Sequence, residues 1–205
     1  MARTRALDYE DRQRQILQAA ARLFAERGYS ETLLEDIAAA CGAGKSSLYH
    51  YYRSKQAILH GLVRWKIDDL AWKVDAAIEQ MAGAGPREKL QALAETLIGE
   101  YLRAPQEVTV LLTQTRHLEP EALAATNEIQ ERLIRRAVLL LREIRPDAEM
   151  PRKKGTALAM LLFGMINWIH VWYDEAGSIR PAELAGLIVG VYLDGFVNQP
   201  AAALA

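Results

Sequence analysis

The chain has 205 residues, of which 51% are hydrophobic, with 25 Lys and Arg against 26 Asp and Glu and a formal charge of -1. That is apolar material for one large domain or for a small domain joined to a medium one, and the cancelling charges exclude whole-molecule attraction to nucleic acid, so any polyanion must be met by a local cluster. A single cysteine, Cys41, excludes an intrachain disulfide framework and fits a reducing compartment.

The N-terminus carries arginines without an apolar signal core, and no apolar run of about 18 residues is free of charges or strong breakers, so neither export nor a membrane span is expected and the cytoplasm is the expected location. Hydrophobic spacing is helical throughout, which predicts an all-α fold of about nine helices. The first runs from about Tyr9 to Arg27, with Ile16, Ala20, Leu23 and Phe24 on one face. Gly28 stands where a left-handed residue closes a helix. Thr32 and Glu35 then read as a capping box opening a short helix over Leu33 to Ala40. The turn Cys41-Gly42-Ala43-Gly44 separates it from a third helix starting at Lys45, and two short helices around such a turn make a helix-turn-helix.

Ser54 is predicted to cap a long helix reaching about Met81, broken by Gly83-Ala84-Gly85-Pro86. Further helices are predicted over 87–103, 105–117, 120–144, 151–174 and 181–198, several with proline in the first turn. The helix at 151–174 is apolar almost all round from Leu158 to Trp172, which predicts cover on several sides. This organisation divides into a helix-turn-helix DNA-binding domain, 9–53, and a helical domain for ligand binding and dimerisation, 54–198.

In Lys45-Ser46-Ser47-Leu48-Tyr49-His50-Tyr51-Tyr52, helical geometry aligns Lys45 with Tyr49 and Ser46 with His50, a polar face suited to phosphates and base edges in a major groove. Leu48 and Tyr52 form the adjoining core-directed pair. Lys55 adds a charge at the next helix start, and Thr32 is a second candidate phosphate contact. Spacing alone leaves an aromatic core turn open as the other explanation of the tyrosines. Arg3 and Arg5 read either as a basic arm for a minor groove or as a solvated terminus.

Residues 16–59 carry FAERGY, T-x-x-x-D-I-A, a glycine turn, K-x-x-L-Y-x-Y and S-K, and closely resemble the DNA-binding domain of the TetR family of bacterial regulators. The resemblance implies that Lys45, Ser46, Ser47, Tyr49, His50 and Tyr51 touch operator DNA, and that Thr32 and Lys55 touch backbone phosphates. It also places Leu48 and Tyr52 in the core. Two positions depart from the family pattern: Gly44 stands where a serine cap is usual, and Ser46 where glycine is usual. Glycine caps almost as well as serine, so the fold survives while the operator sequence cannot be borrowed from relatives.

One short recognition helix reads few base pairs, so two copies about 34 Å apart or more are needed and a homodimer is expected. Candidate interface stripes are Leu158, Leu161, Leu162 and Met165, and Leu184, Leu187, Ile188, Val191 and Phe196; paired across a two-fold axis they would form a four-helix bundle, the usual TetR interface. Service in the monomer core alone is the other explanation. Asn167 and His170 place polar groups in an apolar helix beside Trp168 and Trp172, which are predicted to stack on one face; a bound ligand or ordinary core partners would satisfy them equally.

The string FGMINWI-x-x-WY resembles the C-terminal domains of TetR regulators that respond to acyl-coenzyme A thioesters, although Arg180 replaces the serine often found before the last helix's proline. Arg116 and His117 are candidates for the charged end of such a small-molecule effector, and Phe163, Trp168 and Trp172 for its acyl tail, with Asn167 and His170 as polar contacts. Arg152-Lys153-Lys154 fits the charged end or a solvated helix start.

Enzyme activity is not expected, because His50, His60, His117 and His170 are scattered, no H-E-x-x-H or paired-carboxylate motif occurs, and Cys41 has no evident base. No metal, cofactor or membrane partner is called for. The alternative to a ligand-released repressor is a DNA-bound architectural or adaptor protein whose helical body binds a protein partner.

Overall fold

Residues 2–10 contain neither glycine nor proline, so nothing stops the first helix at its N-terminal end. Accordingly α1 spans Ala2–Arg27, beginning earlier than the spacing predicts. The structure, a computed structural model, describes residues 2–198, with side chains over 9–195 and at 198. Arg3 and Arg5 belong to α1 rather than preceding it, and their side chains, like that of Phe196, lie outside the described residues. The other elements are α2 Leu34–Ala40, α3 Lys45–Tyr51, α4 Lys55–Gln80, α5 Pro86–Arg103, α6 Pro105–Thr113, a 3-10 turn Thr115–His117, α7 Pro120–Ile144, α8 Arg152–Asn167, α9 Ile169–Trp172 and α10 Pro181–Val197. Among the described residues there is no strand, and taking α8 and α9 as one interrupted helix gives nine helices.

These helices pack as two compact units. The first comprises the chain up to Asp68 together with Ala104–Asn127. Its core joins Ile16, Ala20 and Phe24 of α1 to Ile37, Leu48, Ile58, Leu59 and Leu62, with Val108 and Leu111 of α6 also buried. The segment Ala104–Asn127 therefore belongs by packing with the helix-turn-helix, although it lies well beyond it in sequence.

The second unit comprises Asp69–Arg103 and the chain from Glu128. Leu90, Leu93 and Leu97 of α5, Leu162 and Ile166 of α8, and Leu184, Ile188 and Leu193 of α10 are buried. Tyr192 ties α10 to α8 by donating its hydroxyl to Leu158 O at 2.8 Å. At Gly155, α8 meets α7 so closely that a Cβ would lie 2.9 Å from Val138 Cγ1, which explains a glycine inside a helix.

Two predicted helices are broken, each by a polar side chain. The helix over 105–117 splits at Gln114, a mostly buried residue whose Oε1 accepts from Tyr29 N and whose Nε2 donates to Thr113 Oγ1. The helix over 151–174 breaks at Trp168. His170 Nδ1 lies against Asn167 O, and Val171 N then bonds one residue short, to Trp168 O at 3.1 Å.

The expectation of cover on several sides fails for one protomer. Leu161, Met165, Trp168, Val171 and Trp172 are exposed, because only one stripe of α8 (Gly155, Ala159, Leu162, Phe163 and Ile166) faces the core. By length and composition Arg152–Trp172 is apolar enough to cross a membrane, although it begins with three cations and contains Gly155 and Gly164. One stripe of it is buried against the protein, and it breaks at Trp168.

Candidate nucleic-acid interface

The turn that sets the two short helices at their angle is closed by backbone bonds. Ala43 N reaches Ala38 O at 2.9 Å and Gly42 N reaches Ala39 O at 3.0 Å, with Gly42 at φ +61°. This double closure needs a left-handed residue, which glycine supplies without a Cβ penalty. From α1, Arg12 adds a bond to Cys41 O at 3.1 Å. Gly44 then stands at the N-cap of α3 with no side-chain bond, as its sequence position implies.

One residue of α3, Leu48, is fully buried, and it fixes which way the helix faces. Lys45, Ser46, Ser47, Tyr49 and His50 are exposed. Tyr51 is half-buried because its ring stacks on Tyr9 of α1 at 4.8 Å, and His50 meets both rings edge-on. The core turn that spacing left open thus applies to Tyr51 and Tyr52, whereas Tyr49 points outward. Lys45 forms an exposed ion pair with Glu35 of α2, and this contact holds the Glu35 carboxyl below its usual range and raises the Lys45 ammonium. To neutralise a phosphate, Lys45 must exchange one anionic partner for another.

Two expected phosphate contacts are directed elsewhere. Thr32 is buried, and its hydroxyl donates to Gly28 O at 2.9 Å and Leu23 O at 3.3 Å, closing the end of α1. It does not cap α2 either; that cap is Leu33, whose N–H donates to Asp36 Oδ2 at 2.9 Å, in place of the Thr32–Glu35 box. Lys55 donates to Tyr29 O and Thr32 O, each at 2.8 Å, and to Ser30 O at 3.2 Å, so its three ammonium hydrogens are engaged within the protein. Its Nζ also lies 4.3 Å from the Tyr29 ring centroid.

Tyr29 is the hub of this turn. His117 stacks on its ring at 5.0 Å, Gln114 accepts from its N–H, and Gln56 at the start of α4 donates to His117 O at 2.7 Å. Burial pushes the Tyr29 hydroxyl pKa up, with Glu119 adding to the shift. Tyr9, Tyr29 and Gln114 escaped sequence reasoning. Only Tyr29, inside the FAERGY string, carried any signal.

The expected effector residues are divided between the two units. Arg116 and His117 lie in the first unit, whereas Phe163, Asn167, Trp168, His170 and Trp172 lie in the second. Phe163 is buried, while Trp168 and Trp172 are 61% and 52% exposed and make no ring contact with each other. The predicted Trp168–Trp172 stack fails because the helix breaks at the first of the two. Asn167 has a protein partner, since its Oδ1 accepts from the buried Tyr101 hydroxyl at 2.6 Å.

The pattern described as "Bacterial regulatory proteins, tetR family" matches residues 16–62, and that of the "Tetracyclin repressor-like, C-terminal domain" matches residues 83–196, more than half of the chain. The chain belongs to the TetR family. As a TetR regulator it is a DNA-binding transcription factor, of a family whose members bind operator DNA and dimerise. It is 28% identical to the HTH-type transcriptional repressor KstR2 of Rhodococcus jostii (strain RHA1), over 91% of this chain and 92% of that protein. The crystal structure of a TetR-family transcriptional regulator from Bordetella parapertussis 12822 matches with a TM-score of 0.84 at 33% identity, covering 92% of this TetR chain and 97% of the other. AibR in complex with isovaleryl coenzyme A and operator DNA matches with a TM-score of 0.77 at 27% identity, covering 88% and 97%.

Proposed function

We propose that this regulator is a repressor that leaves its operator when an acyl-coenzyme A thioester binds. The observation that carries the DNA half is the outward face of Lys45, Ser46, Ser47, Tyr49 and His50 on a helix whose one fully buried side chain, Leu48, anchors it. In this reading those five residues meet the major groove, Tyr51 supports them through Tyr9, and Thr32 and Lys55 hold the scaffold. Residues 9–53 read DNA, and 54–198 bind effector and partner, with Ala104–Asn127 bracing the DNA reader by packing.

The effector class rests on the likeness to AibR, whose structure holds isovaleryl coenzyme A. Phe163, Asn167, Trp168, His170 and Trp172 are the acyl-end candidates. For the phosphate-bearing end, Arg135, Arg142 and Arg152 line a groove of about 420 Å³ between α7 and α8 together with Ile134, Val138, Leu139 and Glu131, whose carboxylate pairs with Arg135 at 3.3 Å and would have to yield it to a phosphate. These residues lie in the same unit as the two tryptophans, unlike Arg116 and His117, and arginines beside apolar side chains suit anionic amphiphiles. An effector acts only through its differential affinity for the two states, so it binds the DNA-free form better.

A duplex selected by the protein from a random-sequence pool, followed by fluorescence anisotropy with added isovaleryl coenzyme A, tests both halves. Selection of a two-fold related site and its release by the thioester are expected. Binding to DNA without sequence preference overturns the operator reading, and release by none of a short- to long-chain thioester series overturns the effector class.

A further inference from the structure

Glycine is the poorest helix former after proline, yet Gly61 lies in the interior of α4. A Cβ at Gly61 would stand 3.2 Å from Tyr52 Cε1, 3.5 Å from Tyr52 Oη and 3.6 Å from Leu17 Cδ2. The bare backbone of α4 is therefore the surface on which the Tyr52 ring rests. Tyr52 is the residue that ends α3: its backbone is extended, and its N–H closes the last turn on Leu48 O at 3.0 Å.

Leu48 and Tyr52 are four residues apart and share a face of α3. Leu48 sets the depth and facing of this seven-residue helix and the Tyr51–Tyr9 stack braces it from α1; an anchor on the Leu48 side one turn on, against α4, fixes the direction of its axis. Base-edge hydrogen bonds are lost within a few tenths of an ångström to 1 Å of misplacement, so the axis matters more to DNA reading than to folding. Three residues later Lys55 grips the α1–α2 turn, so the chain between α3 and α4 is held at both ends.

We infer that Tyr52 seated on Gly61 is the joint through which α4 aligns the recognition helix, which makes both of them positioning residues for operator binding. The inference rests on reading α3 as the DNA-contacting helix. Burial of the ring agrees with the seat, since it pushes the Tyr52 hydroxyl up to about 12. The same α4 runs on without a break from Lys55 to Gln80, so a displacement of this helix reaches Tyr52 through Gly61.

The test uses the full-length protein carrying Gly61→Ala or Gly61→Leu, each in the wild-type and the Tyr52→Leu background, with Tyr49→Ala in parallel. Binding to the selected duplex is measured at several salt concentrations, alongside thermal melting. The expected result is a graded loss of affinity, about tenfold for Gly61→Leu, with native melting and an unchanged salt slope because no phosphate contact is removed. In the Tyr52→Leu background Gly61→Ala should cost nothing further, and this pair decides the matter if Gly61→Leu does not fold. Wild-type affinity in Gly61→Leu, or an equal loss in both backgrounds, overturns the joint. Unchanged affinity in Tyr49→Ala overturns the DNA face itself and the joint with it, whereas loss there beside a silent Gly61 series overturns the joint alone.

Discussion

Lys55 shows how one residue type in one place can be assigned two tasks. A lysine at a helix start suits a phosphate, but this one already satisfies three carbonyls of the α1–α2 turn. Lys55→Ala should therefore cost about 1–3 kcal/mol of folding stability, measured by urea denaturation, because charge-assisted bonds to a partly buried turn are lost. The salt slope of operator binding should stay unchanged. Lys45→Ala should behave in the opposite way, lowering the slope by about 2, roughly one for each protomer, with native stability, since its exposed pair with Glu35 contributes little to folding. Tyr49→Ala should weaken binding by roughly 1–3 kcal/mol if the ring meets a base edge.

Tyr52 also makes a pH prediction. Its pKa is raised in the folded chain from 10.0 to about 12, mainly by burial and secondarily by Tyr9. The folded state then holds the phenolic proton more tightly than the unfolded state. That contribution to stability is complete below pH 10 and is lost as pH rises toward 12. Tyr101 and Tyr192, raised by burial, act in the same direction. Alkaline denaturation followed by circular dichroism should be shallower in Tyr52→Phe over that interval; an identical profile would remove Tyr52 as a contributor.

At the scale of elements, periodicity placed nearly every helix but not the points where helices break. Proline and glycine mark boundaries through their own backbone chemistry, so the starts of α5, α6, α7 and α10 were legible. The breaks at Gln114 and Trp168 depend on side chains finding partners, Gln114 with Tyr29 across 85 positions and His170 with the Asn167 carbonyl. No local pattern encodes the first of these. Gly155 makes a test of packing, because an added methyl would meet Val138 Cγ1 at 2.9 Å and Met150 Sδ at 3.4 Å, both on buried residues. Gly155→Ala should destabilise the second unit by about 1–3 kcal/mol despite alanine's better helix propensity, as read by its denaturant midpoint.

For the whole molecule, the exposed side chains of α8 and α10 matter most. Leu161 and Val191 are 63% and 66% exposed, and Leu187 accompanies them. Because members of the family dimerise, we propose that a second protomer covers these residues. Leu161→Glu with Val191→Glu should convert the dimer to monomer in sedimentation velocity and reduce operator affinity by far more than either loses in stability, because two recognition helices must bind together. A dimer that persists in the double variant would place the interface elsewhere.

The sequence by itself determined the all-α fold, the helix-turn-helix and the outward face of α3, because periodicity, glycine turns and the family's motifs are local signals. Tertiary structure alone decided that Thr32 and Lys55 face inward, that His117 packs on Tyr29, and that Tyr52 rests on Gly61. Each of those depends on a partner distant in sequence or on a missing Cβ, and which side a polar group turns to is settled by the nearest unsatisfied carbonyl rather than by its own residue type.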